Sequence, residues 1–407
     1  MKPQALSLQY EPDRFMDAAH LQLVTEAMCD LAHPVKMAVA GWARDELSGS
    51  DVANRDRDST FWEDGWRRCA QRGLLAATVP TDLGGRGLPL AEALLEFEGL
   101  GLGCEDNGLA FSVASQAWVV QSALLRAGTD DQRARYLPQL ARGELVGSLA
   151  ITEIESGSDS NSITTRATPV EGGYRIDGAK AYVTNGPNSD FTIVFATLDP
   201  SLGQWGITAF LVDHDQPGVR RSDTREKSGL RTTPFCDLEF DAAFVPTDQR
   251  MGAEGSGASI FGAILEVERS FLFASQLGLM ERQLADTVAR ASKRQQFGQP
   301  IGGFQAVSHR IADMKMRHEA ARLLLYKTAL LDQSGSTTTL TASLTKLAVT
   351  EGSVDNGLAA MSIHGAEGYL SEFGVERDVR DVLGSTIYSG TSDVQRNVIA
   401  RLIGVTS

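Results

Sequence analysis

The sequence predicts an α+β fold in three successive parts, helical, then β, then helical again, because its apolar periodicity changes twice along 407 residues. The first change falls near Gly147, where helical spacing gives way to short β-rich runs punctuated by Gly, Asn and Asp. The second falls near Gly255, after which long apolar-striped stretches with short links return and read as packed helices. The expected domains are 1–147, a helical domain, 148–250, an antiparallel β-domain, and 251–407, a helical bundle. At about 150 residues per domain, this length supports two to three of them.

Within the first part, helical spacing runs through HLQLVTEAMCDLAHPVKMAVAGWARDEL, FWEDGWRRCAQRGLL and NGLAFSVASQAWVVQSALLRAG, and TDDQRARYL opens a further helix on a Thr-Asp cap. In the middle part, ATPVEGGYRIDGAKAYVTNG, FTIVFATL, ITAFLVDH and FCDLEFDAAFVP have the strand lengths of a small antiparallel sheet or barrel. In the last part the helices expected are 258–295, 306–333, 337–363 and 391–402.

Composition narrows the function classes. Hydrophobic residues make up 42% and charged residues 22%, which excludes a disordered or collagen-like chain. The net charge is −14 and no Lys/Arg block stands out, so nucleic acid is not an expected partner. Cys29, Cys69, Cys104 and Cys236 are scattered without a CxxC, which argues against a disulfide framework or a zinc site. No run of about twenty apolar residues is read and the first fifteen residues lack a signal-peptide core, so no membrane association is expected and the chain is read as cytoplasmic.

Familiar catalytic motifs are missing: there is no GxSxG, HExxH, P-loop or strand-following GxGxxG, and the six histidines show no ligand spacing. Three polar, Gly-containing stretches remain. ITEIESGSD, residues 151–159, offers backbone N–H groups that can approach a polar ligand, although on local physics alone it reads as a capped turn between domains. AYVTNG, residues 181–186, is a strand ending in an Asn-Gly turn. RQQFGQPI, residues 294–301, sets an arginine beside an aromatic at a helix end, suited to a phosphate-bearing ring cofactor or to a plain polar terminus.

Together with KSGLRTTPFCDLEFDAAFVP and the closing HGAEGY…VRDVLGSTIYSGTSDVQRNVIAR, these stretches give the chain its resemblance to the acyl-CoA dehydrogenase family, in the family's order and over nearly the whole chain from about Phe61. The resemblance implies an N-terminal helical domain, a central β-domain and a C-terminal four-helix bundle, with FAD held between the last two and completed by a second subunit of a dimer or tetramer. It implies that Ile151, Thr152 and Ser158 lie along the flavin, Ser158 also near substrate, and that Tyr182 and Thr184 flank its ring. Arg294 and Phe297 would reach the pyrophosphate and adenosine of FAD bound mainly by another subunit. Thr391, at the start of the last helix, would contact the cofactor, with Ser362, Gly365 and Asp393 nearby.

Most family members carry a catalytic Glu just before the GT of the closing motif; here Ser389 occupies that position, within Tyr388-Ser389-Gly390-Thr391. A serine hydroxyl without an adjacent base is too weak to abstract an α-proton. Glu268 is the candidate base. It shares a helical face with Ile264, Leu265, Phe271 and Leu272, where burial raises a carboxyl pKa, whereas Glu266 is rotated about 200° away and reads as surface. On periodicity alone Glu268 reads as a buried ion-pair partner; the resemblance favours the base, because isovaleryl-type and long-chain-type members place it on a Glu-Arg pair, matched by Glu268-Arg269. The implied reaction is removal of the thioester α-proton by Glu268 and transfer of the β-hydride to flavin N5, with the Ser389 backbone N–H polarising the carbonyl and Arg269, Tyr388 and Gly390 lining the substrate. The implied electron acceptor is an electron-transferring flavoprotein.

Ser362 stands where the family often has Gln, Ala366 where it often has Gly, and Asp393 where Gln or Glu is common. The acyl carrier is coenzyme A or a carrier protein, since relatives in secondary metabolism act on tethered acyl or aminoacyl groups, including prolyl. Two other readings are a same-fold desulfinase or oxygenase, and an inactive homologue serving as a binding subunit.

Overall fold

A computed structural model describes residues 18–47 and 51–405. The first part holds α1 (Ala18–Cys29), α2 (Pro34–Leu47), α3 (Val52–Asp58), α4 (Glu63–Arg72), α5 (Leu90–Gly103), α6 (Asn107–Ser115), a π-helical turn (Gln116–Gln121), α7 (Ser122–Ala127) and α8 (Asp130–Ala141). Helix α8 opens on a reciprocal capping box between Thr129 and Gln132. Here α6, the π turn and α7 make one rod, Asn107–Ala127, long and apolar enough to cross a membrane, which corrects the expectation that no such run exists. Its most apolar stretch is 83% buried inside the protein, where Trp118 packs on Phe97 and Phe271. The apolarity serves a core.

Eight strands follow: β1 (Gly147–Ala150), β2 (Arg166–Val170), β3 (Gly173–Thr184), β4 (Phe191–Thr197), β5 (Ile207–Asp213), β6 (Val219–Arg221), β7 (Phe235–Pro246) and β8 (Arg250–Met251). The sheet runs β6-β7-β3-β2-β4-β5-β8, with β1 beside β4. It is not wholly antiparallel as expected: β1 pairs parallel with β4 from Gly147↔Phe191 onward, and β2 meets β4 in one parallel pair. The chain between β1 and β4 contains a whole hairpin, β2–β3, which is long enough for the crossover a parallel pair needs. Strand β4 is buried on both faces. Phe191, Ile193 and Phe195 join the helical core, while Val194 and Ala196 join a second core with Phe210, Leu238 and Phe240.

The last part holds α9 (Gly257–Phe271), α10 (Ala274–Lys293), a hairpin of β9 (Gln295–Gln296) and β10 (Gln299–Pro300), α11 (Gln305–Gln333), α12 (Thr339–His364), α13 (Ala366–Tyr369), α14 (Val375–Leu383) and α15 (Ser392–Leu402). The single helix expected over 258–295 is two helices. Phe271, Leu272 and Phe273 are all buried, although consecutive residues of one helix point 100° apart; the break between α9 and α10 lets all three face inward. Helices α10, α11 and α12 pack together, and α9, α14 and α15 lie against α12. Helix α10 also lies backbone to backbone on α5. A Cβ at Gly101 would sit 1.7 Å from the Ser275 carbonyl oxygen, and one at Gly278 2.0 Å from that of Glu98.

Candidate active site

The loop between α14 and α15 folds over the second half of α9 and brings five expected residues together, Glu268, Arg269, Tyr388, Ser389 and Gly390. Ser389 Oγ donates to Glu268 Oε1 at 2.6 Å, while no hydrogen bond among the described residues reaches Oε2. Glu268 is half-buried. Burial pushes its carboxyl above the ordinary value; the Ser389 hydroxyl, then the charges of Arg269 and Lys346, pull it back without cancelling that rise.

The loop's shape comes from a left-handed pair, Ser389 at φ 58° and Gly390 at φ 82°. For a serine this conformation costs about 1 kcal/mol or more and needs external support. Gln395, fully buried on α15, supplies it: Nε2 donates to the Ser389 carbonyl at 3.3 Å and to the Gly390 carbonyl at 3.0 Å. Arg269 Nε adds a third contact, 3.4 Å from the Ser389 carbonyl. The Ser389 N–H has no partner among the described residues and stays available as a donor.

Tyr388 closes the other side, its ring parallel to Phe273 at 5.8 Å and tilted on Phe111 at 4.9 Å. Burial pushes its hydroxyl pKa far up, so it stays neutral. These rings, with Leu230, Gln276 and Asp381, line a narrow cleft of about 30 Å³. Its walls are mostly apolar, with Asn107, Gln276 and Asp381 among the polar groups.

Sequence reasoning missed two neighbours and misplaced a third. Gln395 lies one turn beyond the Thr391 cap, on the inner face of α15. Lys346 projects from α12, fully buried, its ammonium without a hydrogen-bond partner and its pKa lowered by burial to about 8. Its place in a buried row with Ala342, Val349 and Ser353 was the readable signal. Glu266, read as surface, is half-buried: it accepts from Thr338 Oγ1 at 2.9 Å and from Thr339 Oγ1, because the start of α12 crosses α9 there.

A second group gathers on the β-domain. Beyond β1, the Ile151 carbonyl accepts from Lys180 Nζ at 3.0 Å and the Thr152 carbonyl from the Ala181 N–H at 2.8 Å, which pins this segment to β3. Tyr182 sits at a register shift in β3 with φ 62°, its ring stacked on Phe235 and covered by the Arg225 guanidinium at 5.4 Å. Thr184 pairs with Phe235 in the same ladder, and Ser158 is exposed on the loop after β1. Glu153 is saturated. It accepts from Lys180 Nζ, the Thr164 N–H and Oγ1, and the Thr165 N–H, all within 2.9 Å. Burial pushes Glu153 up, but Lys180 and these donors outweigh it and hold the carboxyl at about 2.

The remaining expected residues stand apart. Arg294 and Phe297 lie on the β9–β10 hairpin, with Phe297 93% exposed at φ 51°. Ser362 and Gly365 are exposed at the end of α12, where Ser362 Oγ accepts from Arg310 at 2.8 Å. Thr391 caps α15 by accepting from the Val394 N–H, and Asp393 is exposed in the first turn. No hydrogen bond or ring contact among the described residues joins Arg294, Phe297, Ser362 or Gly365 to Glu268.

Helical parts before and after a mixed sheet in the chain, with a half-buried carboxyl held by a serine hydroxyl near an aromatic cluster, are the layout of an oxidoreductase that works on acyl thioesters. Family models for the N-terminal, middle and C-terminal domains of acyl-CoA dehydrogenase match residues 32–144, 148–243 and 255–404, and the chain belongs to that family. It is 42% identical over 337 residues to an L-prolyl-(peptidyl-carrier protein) dehydrogenase of Pseudomonas fluorescens, covering 83% of this chain and 89% of the relative. Its structure superposes on the prolyl acyl carrier protein oxidase AnaB with a TM-score of 0.88 at 37% identity, over 96% of this chain and 100% of AnaB. PigA, solved with FAD and proline, superposes with a TM-score of 0.87 at 32% identity, over 97% of this chain and 99% of PigA.

Proposed function

We propose that this chain is an FAD-dependent dehydrogenase that forms a Cα=Cβ double bond in an acyl thioester, and that the acyl group is a prolyl residue carried on a carrier protein. The observation that carries the reaction is Glu268, with one oxygen held by Ser389, no hydrogen bond among the described residues to the other, and the Tyr388 ring next to Ser389 in the same loop. The prolyl and carrier assignments rest on the relatives, two of which are named L-prolyl-(peptidyl-carrier protein) dehydrogenases.

The chain's own residues fit FAD. Tyr182 offers an aromatic ring, 47% exposed, on a left-handed backbone, and the eleven-residue α15 begins at Thr391 with its N-terminal dipole close to the unpartnered Ser389 N–H. Ile151, Thr152, Tyr182 and Thr184 would hold the flavin, and Thr391 the cofactor's polar part. When bound, FAD supplies the two-electron acceptor for the hydrogen leaving Cβ.

Glu268 Oε2 takes the α-proton as the Cα–H bond breaks, and that electron pair becomes the new π bond. The Ser389 N–H donates to the thioester oxygen and stabilises the enolate character that makes the α-proton removable. Arg269 and Gln395 hold the Ser389 carbonyl and so fix the backbone that bears that N–H. Tyr388, Phe273 and Phe111 exclude water from the reacting carbons. One turnover on a prolyl thioester removes two hydrogens from the ring.

The same reading takes the working form as a homo-oligomer, a dimer or a tetramer, in which a second copy brings Arg294 and Phe297 to the cofactor; the exposure of Phe297 supports it. An electron-transferring flavoprotein is the proposed acceptor. The test is anaerobic mixing of the FAD-loaded protein with L-prolyl carrier protein and, separately, isovaleryl-CoA. The expected result is flavin bleaching and a product lighter by two hydrogens with the carrier-bound prolyl group. Bleaching by isovaleryl-CoA alone overturns the carrier and prolyl assignments, and bleaching by neither overturns the reaction.

A further inference from the structure

Ser389 stands where most family members place their base, and its side chain is not idle. The hydroxyl lies 2.6 Å from one oxygen of Glu268, on a residue that is 9% exposed and forced left-handed. Three side-chain contacts from Gln395 and Arg269 hold the two carbonyls that follow, so the backbone bearing this hydroxyl is over-determined. Relaxation to an ordinary φ would break them. The fold thus maintains a strained serine whose only side-chain hydrogen bond among the described residues is to the base.

We propose that Ser389 is a positioning residue: its hydroxyl pins Oε1 of Glu268 so that Oε2 alone is presented to the substrate α-carbon. The proposal rests on Glu268 being the base. A glutamate carboxylate, on a side chain with three rotatable bonds, otherwise samples several rotamers, and a fixed oxygen removes that freedom before the substrate arrives. Because the hydroxyl donates only to the charged carboxylate's benefit, it also holds the carboxyl lower than burial alone would. The hydroxyl therefore favours the ionised form that a base needs. Ser389 thus has two separate uses, the backbone N–H for the thioester oxygen and the hydroxyl for the base.

The test uses FAD-loaded Ser389→Ala and Ser389→Gly. Alanine removes the hydroxyl and keeps the strained backbone, whereas glycine removes both hydroxyl and strain. The first readout is the protonation midpoint of Glu268, taken from the carboxyl band in pH-difference infrared spectra and identified by its loss in Glu268→Gln; it needs no substrate. Both variants are expected to raise that midpoint by about one pH unit, since a hydrogen bond to a charged group is lost. The second readout is anaerobic flavin bleaching by L-prolyl carrier protein, whose acid limb should move up with the midpoint. At neutral pH the rate should fall about tenfold, with little change in the substrate concentration giving half the maximal rate.

An unmoved midpoint in both variants, with Glu268→Gln inactive, overturns the role of Ser389 and leaves Glu268 as the base. A shift in glycine but not in alanine also overturns it, because strain and not the hydroxyl would then be responsible. Loss of bound flavin in both variants places Ser389 in the scaffold and counts against the proposal. Full bleaching in Glu268→Gln overturns the base assignment and this inference with it.

Discussion

Glu153 and Glu268 are both carboxylates withdrawn from water, and they end in opposite states. Glu153, between β1 and β2, receives four hydrogen bonds within 2.9 Å, one of them from the Lys180 ammonium, and is held at about 2. Glu268, on α9, receives one, from a neutral hydroxyl, and its carboxyl rises above the ordinary value. Burial raises the pKa of both, and what separates them most visibly is how many donors are aimed at the ionised form. A saturated carboxylate fastens a loop to a strand; one left with an open oxygen can accept a proton. Burial by itself does not single out a base, which is why periodicity alone reads a carboxylate on an apolar stripe as an ion-pair partner.

Glu268→Gln breaks the comparison on the reactive side. Flavin reduction by the thioester should fall about 10³-fold, the usual scale for a general base, while the melting temperature changes little because the amide can still accept from Ser389. Stopped-flow anaerobic bleaching and a thermal melt check the two halves. Glu153→Gln breaks it on the structural side and should destabilise the protein by about 3–5 kcal/mol, because Lys180 keeps its buried charge and loses its counter-ion. Urea unfolding measures this.

The same carboxyl sets an acid limb. A group held at about 2 in the folded state contributes stability that is complete above its unfolded value near 4.5 and is lost as pH falls toward 2. The melting temperature of the parent protein should drop across that window, and in Glu153→Gln this component of the drop should vanish. The smallest effect is expected at Lys346. Its pKa is lowered to about 8, so at neutral pH the folded state carries a disfavoured charge, and Lys346→Met should stabilise the protein by about 1–2 kcal/mol. Loss of that charge near Glu268 should also move the acid limb of bleaching slightly upward. A destabilised Lys346→Met with an unmoved limb would show that the ammonium supports the fold and not the base.

The three-part layout was legible because helices and strands impose different periods on apolar residues, and GYRIDGAKAYVT or FTIVFAT cannot pass for helix. The break at Leu272–Phe273 was not, since no Gly or Pro marks it and its cause is three consecutive aromatic and aliphatic side chains seeking one core. The parallel placement of β1 was hidden for another reason: strand order is set by contacts more than forty residues apart. Glu268 could be nominated from its face and its Arg neighbour. Its actual environment could not, because Ser389 lies 121 residues further on and reaches it only through a left-handed turn. Glu266 shows the converse, a residue judged outward from its own helix that meets Thr338 on another. The ITEIESGSD stretch looked like a polar turn around glycine, and nothing in its spacing announced that Glu153 would anchor it.

The contact of α5 with α10 at Gly101 and Gly278 has a consequence for how such an enzyme can be altered. With no side chain between the two backbones, their separation is fixed by peptide atoms, and α10 begins one residue after the Phe273 ring that stacks on Tyr388. Adding even a methyl group at Gly278 would lever the whole of α10 outward, and the aromatic wall would travel with it. Reactivity could thus drift through a change that touches neither thioester nor cofactor. The crossing acts as a gauge for the width of the cleft, and evolution can adjust that gauge only in one direction.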